Sequence, residues 1–227
     1  MGLPEIVTRE EWTAAREELL VKEKAATRAR DALNAERRGL PMVEVDKEYY
    51  FEGADGKATL LDLFDGRDQL IVYHFMFAPE WDAGCRSCSG FLDQIGHLAH
   101  LRARGTNLVA VSRAPFTKLL SFKARMGWTV PWYSTDGGDF NHDFHASFDE
   151  EPKDLPGINC FLRDGDRIFH TYATFARGLD GLGSTTSLLD LTALGRQEEW
   201  EEPKGRSSVL GAPAGSARVR YHDEYED

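Results

Sequence analysis

The chain has 227 residues, enough for one domain with attachments, and 41% of them are hydrophobic, enough to fill a core. Its formal net charge of −11 excludes a phosphate-binding surface, which needs an excess of Lys and Arg, so no nucleic-acid partner is expected. No apolar run approaches the roughly 20 residues of a membrane-spanning helix, and Met1-Gly2-Leu3-Pro4-Glu5 has neither the basic start nor the apolar core of a signal peptide. No membrane partner is therefore expected, and the expected location is the cytoplasm, where three cysteines are kept reduced.

Thr8-Arg9-Glu10-Glu11 has the form of a capping box, and the helical pattern behind it runs to about Arg38, with Gly39 and Pro41 as stop signals. Residues 1–40 thus read as an N-terminal helical arm. Trp12, Leu19, Ala26 and Leu33 fall seven apart and Leu20 widens the stripe, so the arm is expected to pack on the domain or on a second copy of the chain as a homodimer helix. Residues 41–64 read as a strand or hairpin turning at Gly53-Ala54-Asp55-Gly56-Lys57, followed by a short helical turn. Leu70 to Phe77 is an unbroken apolar run, the pattern of a strand buried on both faces. A loop from Ala78 to Gly84 leads to Cys85-Arg86-Ser87-Cys88, and Phe91, Ile95 and Leu98 then repeat at helical spacing until Gly105.

Leu108 to Ser112 reads as the next buried strand. Pro115 suits a first helical turn, with the helix running to Met126 and Gly127 ending it. Thr129 to Ser134 follows as a strand, and Asp136 to Asp139 as a loop. Asp164-Gly165 separates two β-rich runs, 158–162 and 167–172, as a hairpin turn does. The last helix is expected over 186–194. From Glu201 the chain is charged and rich in Gly, Pro, Ala and Ser, so 201–227 reads as a mobile tail and 41–200 as the domain.

The chemistry concentrates at Cys85 and Cys88. They sit where a strand hands over to a helix, whose unpaired N–H groups favour a thiolate. Three residues apart, they can reach each other as a disulfide, and in a reducing compartment that pattern reads as a redox dithiol. Cys85 is expected to be the attacking thiolate and Cys88 the resolving partner. The expected partner is a thiol or disulfide substrate or a small-molecule reductant. Two alternatives stand beside this reading. One is a metal-binding module using both cysteines and a histidine, although no second Cys-x-x-Cys completes a four-ligand set and no stoichiometric metal is expected. The other is a binding protein without catalysis.

Elsewhere, Cys160 reads as a small buried hydrophobe and His74 as a satisfied core histidine. His97 and His100 are expected to share a helix face. Asp139, Asn141, His142, Asp143 and His145 form a polar cluster anchored by Phe140 and Phe144, with functional and structural readings open. Gly181-Leu182-Gly183-Ser184-Thr185-Thr186 lacks the Lys-Ser/Thr ending and the preceding strand of a phosphate loop, so no cofactor is expected.

Several strings resemble DUF899, a bacterial family of unknown function with a thioredoxin-like fold. They are Tyr73-His74-Phe75-Met76-Phe77, Trp81, Gly84-Cys85-Arg86-Ser87-Cys88-Ser89 and Leu108-Val109-Ala110-Val111-Ser112-Arg113-Ala114-Pro115. Further along come Arg125-Met126-Gly127-Trp128, Asp139-Phe140-Asn141, His170-Thr171-Tyr172 and Ala176-Arg177-Gly178-Leu179-Asp180. The resemblance implies an α/β, thioredoxin-like fold, a central mixed sheet flanked by helices with an N-terminal helical extension. Around the dithiol, Trp81, Asp82, Gly84, Arg86, Ser87 and Pro156 are the candidate lining residues. There are departures from better-known relatives. Gly84 stands where thioredoxins carry a tryptophan. Asp82 stands where peroxiredoxins carry a Thr or Ser, and an anion there would oppose a thiolate. Pro156 is the candidate for the thioredoxin cis-proline.

Overall fold

The computed structural model describes residues 4–151, 153–204 and 219–225. An eight-stranded mixed sheet forms its centre. In chain order the strands are β1 (Val43–Glu44), β2 (Tyr50–Gly53), β3 (Gly56–Thr59), β4 (Gln69–His74), β5 (Thr106–Ser112), β6 (Trp132–Ser134), β7 (Gly157–Asp164) and β8 (Arg167–Phe175). Across the sheet they run β1-β8-β7-β4-β5-β6-β2-β3. β4 lies parallel to β5 and antiparallel to β7, so the strand leading to the cysteines is central and hydrogen-bonded on both edges. A parallel pair joined through helices, followed by an antiparallel hairpin on the other side of the central strand, is the thioredoxin-like plan.

Strand residues alternate between the sheet's two faces. On one side Tyr73, Phe75, Phe77, Cys88, Leu92, Phe122 and Trp132 form a core; on the other, Leu70, Val72, Val111, Phe140, Phe144 and Phe161 form a second. The helix α1 (Arg9–Arg38) begins with the expected capping box, Thr8 and Glu11 bonding reciprocally, and ends at Gly39. None of its residues is buried. Trp12, Leu19 and Leu33 are each about half exposed, so the stripe is not packed on the domain, and at the helix end Arg37 lies 4.7 Å over the Tyr172 ring.

The single helix expected between the cysteines and Gly105 is two short ones, α2 (Arg86–Leu92) and α3 (Ala99–Arg102). The break has a polar cause. Asp93 ends α2, and its carboxylate accepts Trp128 Nε1–H at 2.7 Å and lies 2.7 Å from His222 Nδ1. The next side chain, Gln94, accepts the Thr185 N–H at 2.7 Å. His97 consequently lies outside any helix, accepting the Ala99 N–H, and does not share a helix face with His100.

α4 (Phe116–Met126) ends at Gly127 in the left-handed region, φ 66°. The loop read between β6 and β7 contains a short helix, α5 (Phe140–Asp143), and the last helix, α6 (Ser184–Leu189), starts earlier and is shorter than expected. Residues 205–218 of the expected tail lie outside the described residues. The segment beyond them returns to the domain and buries Tyr221, which shows 7% of its surface.

Candidate functional site

Cys85 follows a loop that folds back on the end of β4. Its N–H donates to the Met76 carbonyl at 3.0 Å, while the Phe77 carbonyl accepts from Ala114 N–H at 2.8 Å, tying the loop to the neighbouring β5–α4 connection. Cys85 is then the residue capping α2, and Ser89 N–H closes the first turn on the Cys85 carbonyl at 2.9 Å. Gly84 is required here. A Cβ at this position would sit 2.5 Å from the Phe75 ring and 3.1 Å from Phe122, so no tryptophan or other side chain fits before the first cysteine. The Gly84 carbonyl accepts the Tyr221 hydroxyl at 2.6 Å.

The two thiols, both free, sit in opposite environments. Cys85 is half-buried. The Cys88 S–H and the backbone N–H groups of Cys88 and Ser87 donate to its sulfur and, against the cost of burial, pull its pKa down to about 6. Cys88 is 1% exposed. Burial first, then the neighbouring Cys85 sulfur, pushes it well up, so it stays protonated. The Tyr73 hydroxyl also donates to the Cys88 sulfur and acts in the other direction. Tyr73 itself is buried, and its own ionisation is pushed up by the lack of solvent and by the cysteines.

The other residues expected to line the site divide. Ser87 is exposed, and with Pro156 and Cys88 it lines one cavity. Arg86 lies over the Tyr221 ring at 5.4 Å. Asp82 is exposed and is not among the groups acting on Cys85. Trp81 offers its carbonyl to Lys118 Nζ at 3.0 Å, away from the thiols. The Leu155–Pro156 bond is not cis; the one cis peptide among the described residues is Glu202–Pro203. Two residues that matter at the dithiol, Tyr73 and Tyr221, were not singled out from the sequence. Tyr73 could have been, because strand alternation puts it on the same face as Phe75 and Phe77. Nothing local marks Tyr221, which reaches Gly84 from 137 positions away.

Cys160 is half-buried on β7, opposite Ile71, and burial raises its thiol to about 11. Among the described residues no three His, Cys, Asp or Glu side chains converge as a metal site would require. The Asp139–His145 segment does structural work. Asp139 and Asp143 both take Lys47 Nζ, at 2.8 and 2.6 Å, and Asn141 reaches inward to His74. His74 is buried between Asn141 Oδ1, 3.2 Å from Nδ1, and Asn159 Nδ2, 2.9 Å from Nε2. Asn159 must donate, so Nε2 is the acceptor and Nδ1 carries the proton.

This fold, with two unlike thiols at the start of a helix behind its central strand, defines the class: a thioredoxin-like protein carrying a Cys-x-x-Cys. The chain belongs to DUF899, a family of bacterial proteins of unknown function, whose model matches residues 1–225. No curated protein matches the chain. Among solved structures it is similar to the bacterioferritin comigratory protein of Xanthomonas campestris, a protein with alkyl peroxide reduction activity. There the identity is 16%, with 59% of this chain and 86% of that one covered and a TM-score of 0.45. Peroxidoxin BcpB of Mycobacterium tuberculosis gives 17%, 61% and 86%, and 0.46. A Chlorobium tepidum protein assigned as the thiol:disulfide interchange protein DsbE gives 17%, 69% and 99%, and 0.42. These likenesses concern the arrangement of strands and helices and say nothing of the reaction.

Proposed function

We propose that the protein is a thiol–disulfide oxidoreductase, a thiol-dependent reductase in which Cys85 attacks and Cys88 resolves. The observation that carries this reading is the placement of the pair: Cys85 partly exposed where it caps α2, Cys88 buried one turn on, an arrangement that draws the first thiol toward the thiolate and holds the second protonated. The Cys85 thiolate attacks one sulfur of a substrate disulfide, and the other sulfur leaves as a thiolate. Cys88 gives its proton to that leaving group, attacks Cys85 in the mixed disulfide and expels the second substrate sulfur. Two electrons pass to the substrate, and the Cys85–Cys88 disulfide is returned to the dithiol by a low-molecular-weight or protein thiol. In the reducing cytoplasm proposed for it, the dithiol is the resting form.

Intact-protein mass after mild oxidation tests this. Loss of two hydrogens is expected in the wild type and in neither Cys85→Ser nor Cys88→Ser. Cys88→Ser is expected to accumulate a mixed disulfide at Cys85, since nothing resolves it. An oxidised wild type with both thiols still titratable would leave a binding protein on a thioredoxin-like scaffold as the remaining reading.

A further inference from the structure

Behind Cys88 lies a cavity of about 790 Å³, within the range of small-molecule sites. Tyr73, Cys88, Phe91, Leu179, Leu189 and Trp200 form much of its wall, and the lining is more apolar than polar. Arg177, Arg196 and Asp180 of its lining are engaged in ion pairs, in part with Asp190 outside the lining. Arg196 bonds Asp190 twice, at 2.7 Å each, and Asp180 at 2.8 Å. Arg177 meets Asp180 at 3.3 Å and stacks 4.0 Å over the Trp200 ring. With those three side chains paired, what the wall mainly offers a ligand is apolar surface.

The segment 219–225 closes one side of this space, with Val219 and Tyr225 in the lining. That segment is held by Tyr221 on Gly84 and by Arg125, which pairs with Asp223 at 2.7 and 2.9 Å and with Glu224 at 3.1 Å. A folded protein offering a disulfide would have to displace it. A small molecule would not. Cys88 lines the cavity and Cys85 caps the same helix three positions earlier, so a group lying against Cys88 and Ser87 has the attacking residue beside the cavity's edge.

We propose that this cavity is the substrate pocket, and that the substrate class is a small, uncharged disulfide whose apolar arm lies among Phe91, Leu179, Leu189 and Trp200. The proposal rests on the dithiol reading above. The arm binds first, with the disulfide at the cavity's edge. The Cys85 thiolate forms a bond to the nearer sulfur and the bond between the substrate sulfurs breaks. Cys88 then closes on Cys85 and releases the arm as its thiol, the dithiol supplying both electrons.

The test uses the reduced full-length chain with 4,4′-dithiodipyridine, a neutral aromatic disulfide whose release is seen as pyridine-4-thione. Its non-reactive carbon isostere, 1,2-di(4-pyridyl)ethane, serves as competitor. Rates are divided by that of Cys85 alkylation with iodoacetamide, which needs no cavity. The wild type should saturate with the disulfide, and the isostere should compete. Leu189→Glu, at a half-exposed wall position, should lower the normalised rate constant at low reagent by about tenfold or more, the worth of about 1.4 kcal/mol of binding. A rate linear in reagent, indifferent to the isostere and unchanged in Leu189→Glu would overturn the pocket while leaving the dithiol chemistry intact. Isostere binding to a protein that never forms the Cys85–Cys88 disulfide would instead sink the redox reading, and the substrate role with it.

Discussion

Tyr73 and His74 are consecutive residues of β4, both buried and both polar, and they face opposite sides of the sheet. Tyr73 points its hydroxyl at the Cys88 sulfur and borders a cavity. His74 is sealed, with each ring nitrogen paired to an asparagine and its face stacked on Phe140 at 5.5 Å between centroids. Buried polarity serves two ends in one strand. Where both ring nitrogens of a histidine are matched within the core, it specifies the packing. Where a polar group meets a thiol beside open space, its partners can change during a reaction.

The sharpest way to break this contrast is on the reactive side. Cys85→Ser should remove the fast-alkylating thiol altogether. At pH 7 the remaining labelling should fall by roughly a hundredfold, because Cys88 and Cys160 are thiols held up by burial. Quantitative iodoacetamide labelling checks this, and a variant that labels as fast as the wild type would place the reactive thiol elsewhere.

The sealed side should answer in stability and not in reactivity. His74→Phe leaves Asn141 and Asn159 without their partner and should cost about 3 kcal/mol, read from urea unfolding, with Cys85 alkylation unchanged. The same residue gives a pH dependence. Burial, the largest influence, lowers its pKa from 6.5 to about 4. Between those values the unfolded chain binds a proton that the folded one refuses. Its contribution is therefore complete above pH 6.5 and lost as pH falls toward 4, about 3 kcal/mol in all. His74→Phe should flatten that part of the stability profile.

Tyr73→Phe is a subtler probe. It removes the hydrogen bond to Cys88 and keeps the ring that packs 4.6 Å from Phe91. Closure of the Cys85–Cys88 disulfide from a mixed disulfide should slow by roughly tenfold, the worth of one hydrogen bond to a thiolate, while first attack by Cys85 is unaffected. Rapid-quench mass spectrometry separates the two steps. Equal slowing of both would make Tyr73 a packing residue only. Smallest of all is Leu19→Ala on α1, which should change unfolding free energy by under about 0.5 kcal/mol because the side chain is half exposed. A larger loss that deepens on dilution would show that a second copy covers the stripe.

Features written in neighbouring residues were legible. The capping box at Thr8, the apolar run into Cys85, the stop at Gly127 and the turn at Asp164-Gly165 each depend on a few consecutive side chains and appear where expected. What could not be read depends on partners distant in the chain. The helix after the cysteines breaks at Asp93 because Trp128 and His222 claim its carboxylate. His74 is satisfied by residues from α5 and β7. Tyr221 seals Gly84 from a segment whose composition suggested only mobility. At the site, Cys-x-x-Cys spacing marked the two sulfurs, but the opposing influence expected from Asp82 does not reach them, and the cavity depends on how residues 176–200 fold over the sheet.

The central claim is that only two residues separate a thiolate from a thiol. Iodoacetamide labelling of the reduced protein from pH 4.5 to 9, with each cysteine followed by peptide mapping, tests it most directly. Cys85 should label first, its rate rising with a midpoint near 6 and levelling by neutral pH, while Cys88 stays unlabelled until the protein unfolds. Cys88 labelling ahead of Cys85, or a Cys85 midpoint at the ordinary thiol value of about 8.5, would contradict the account.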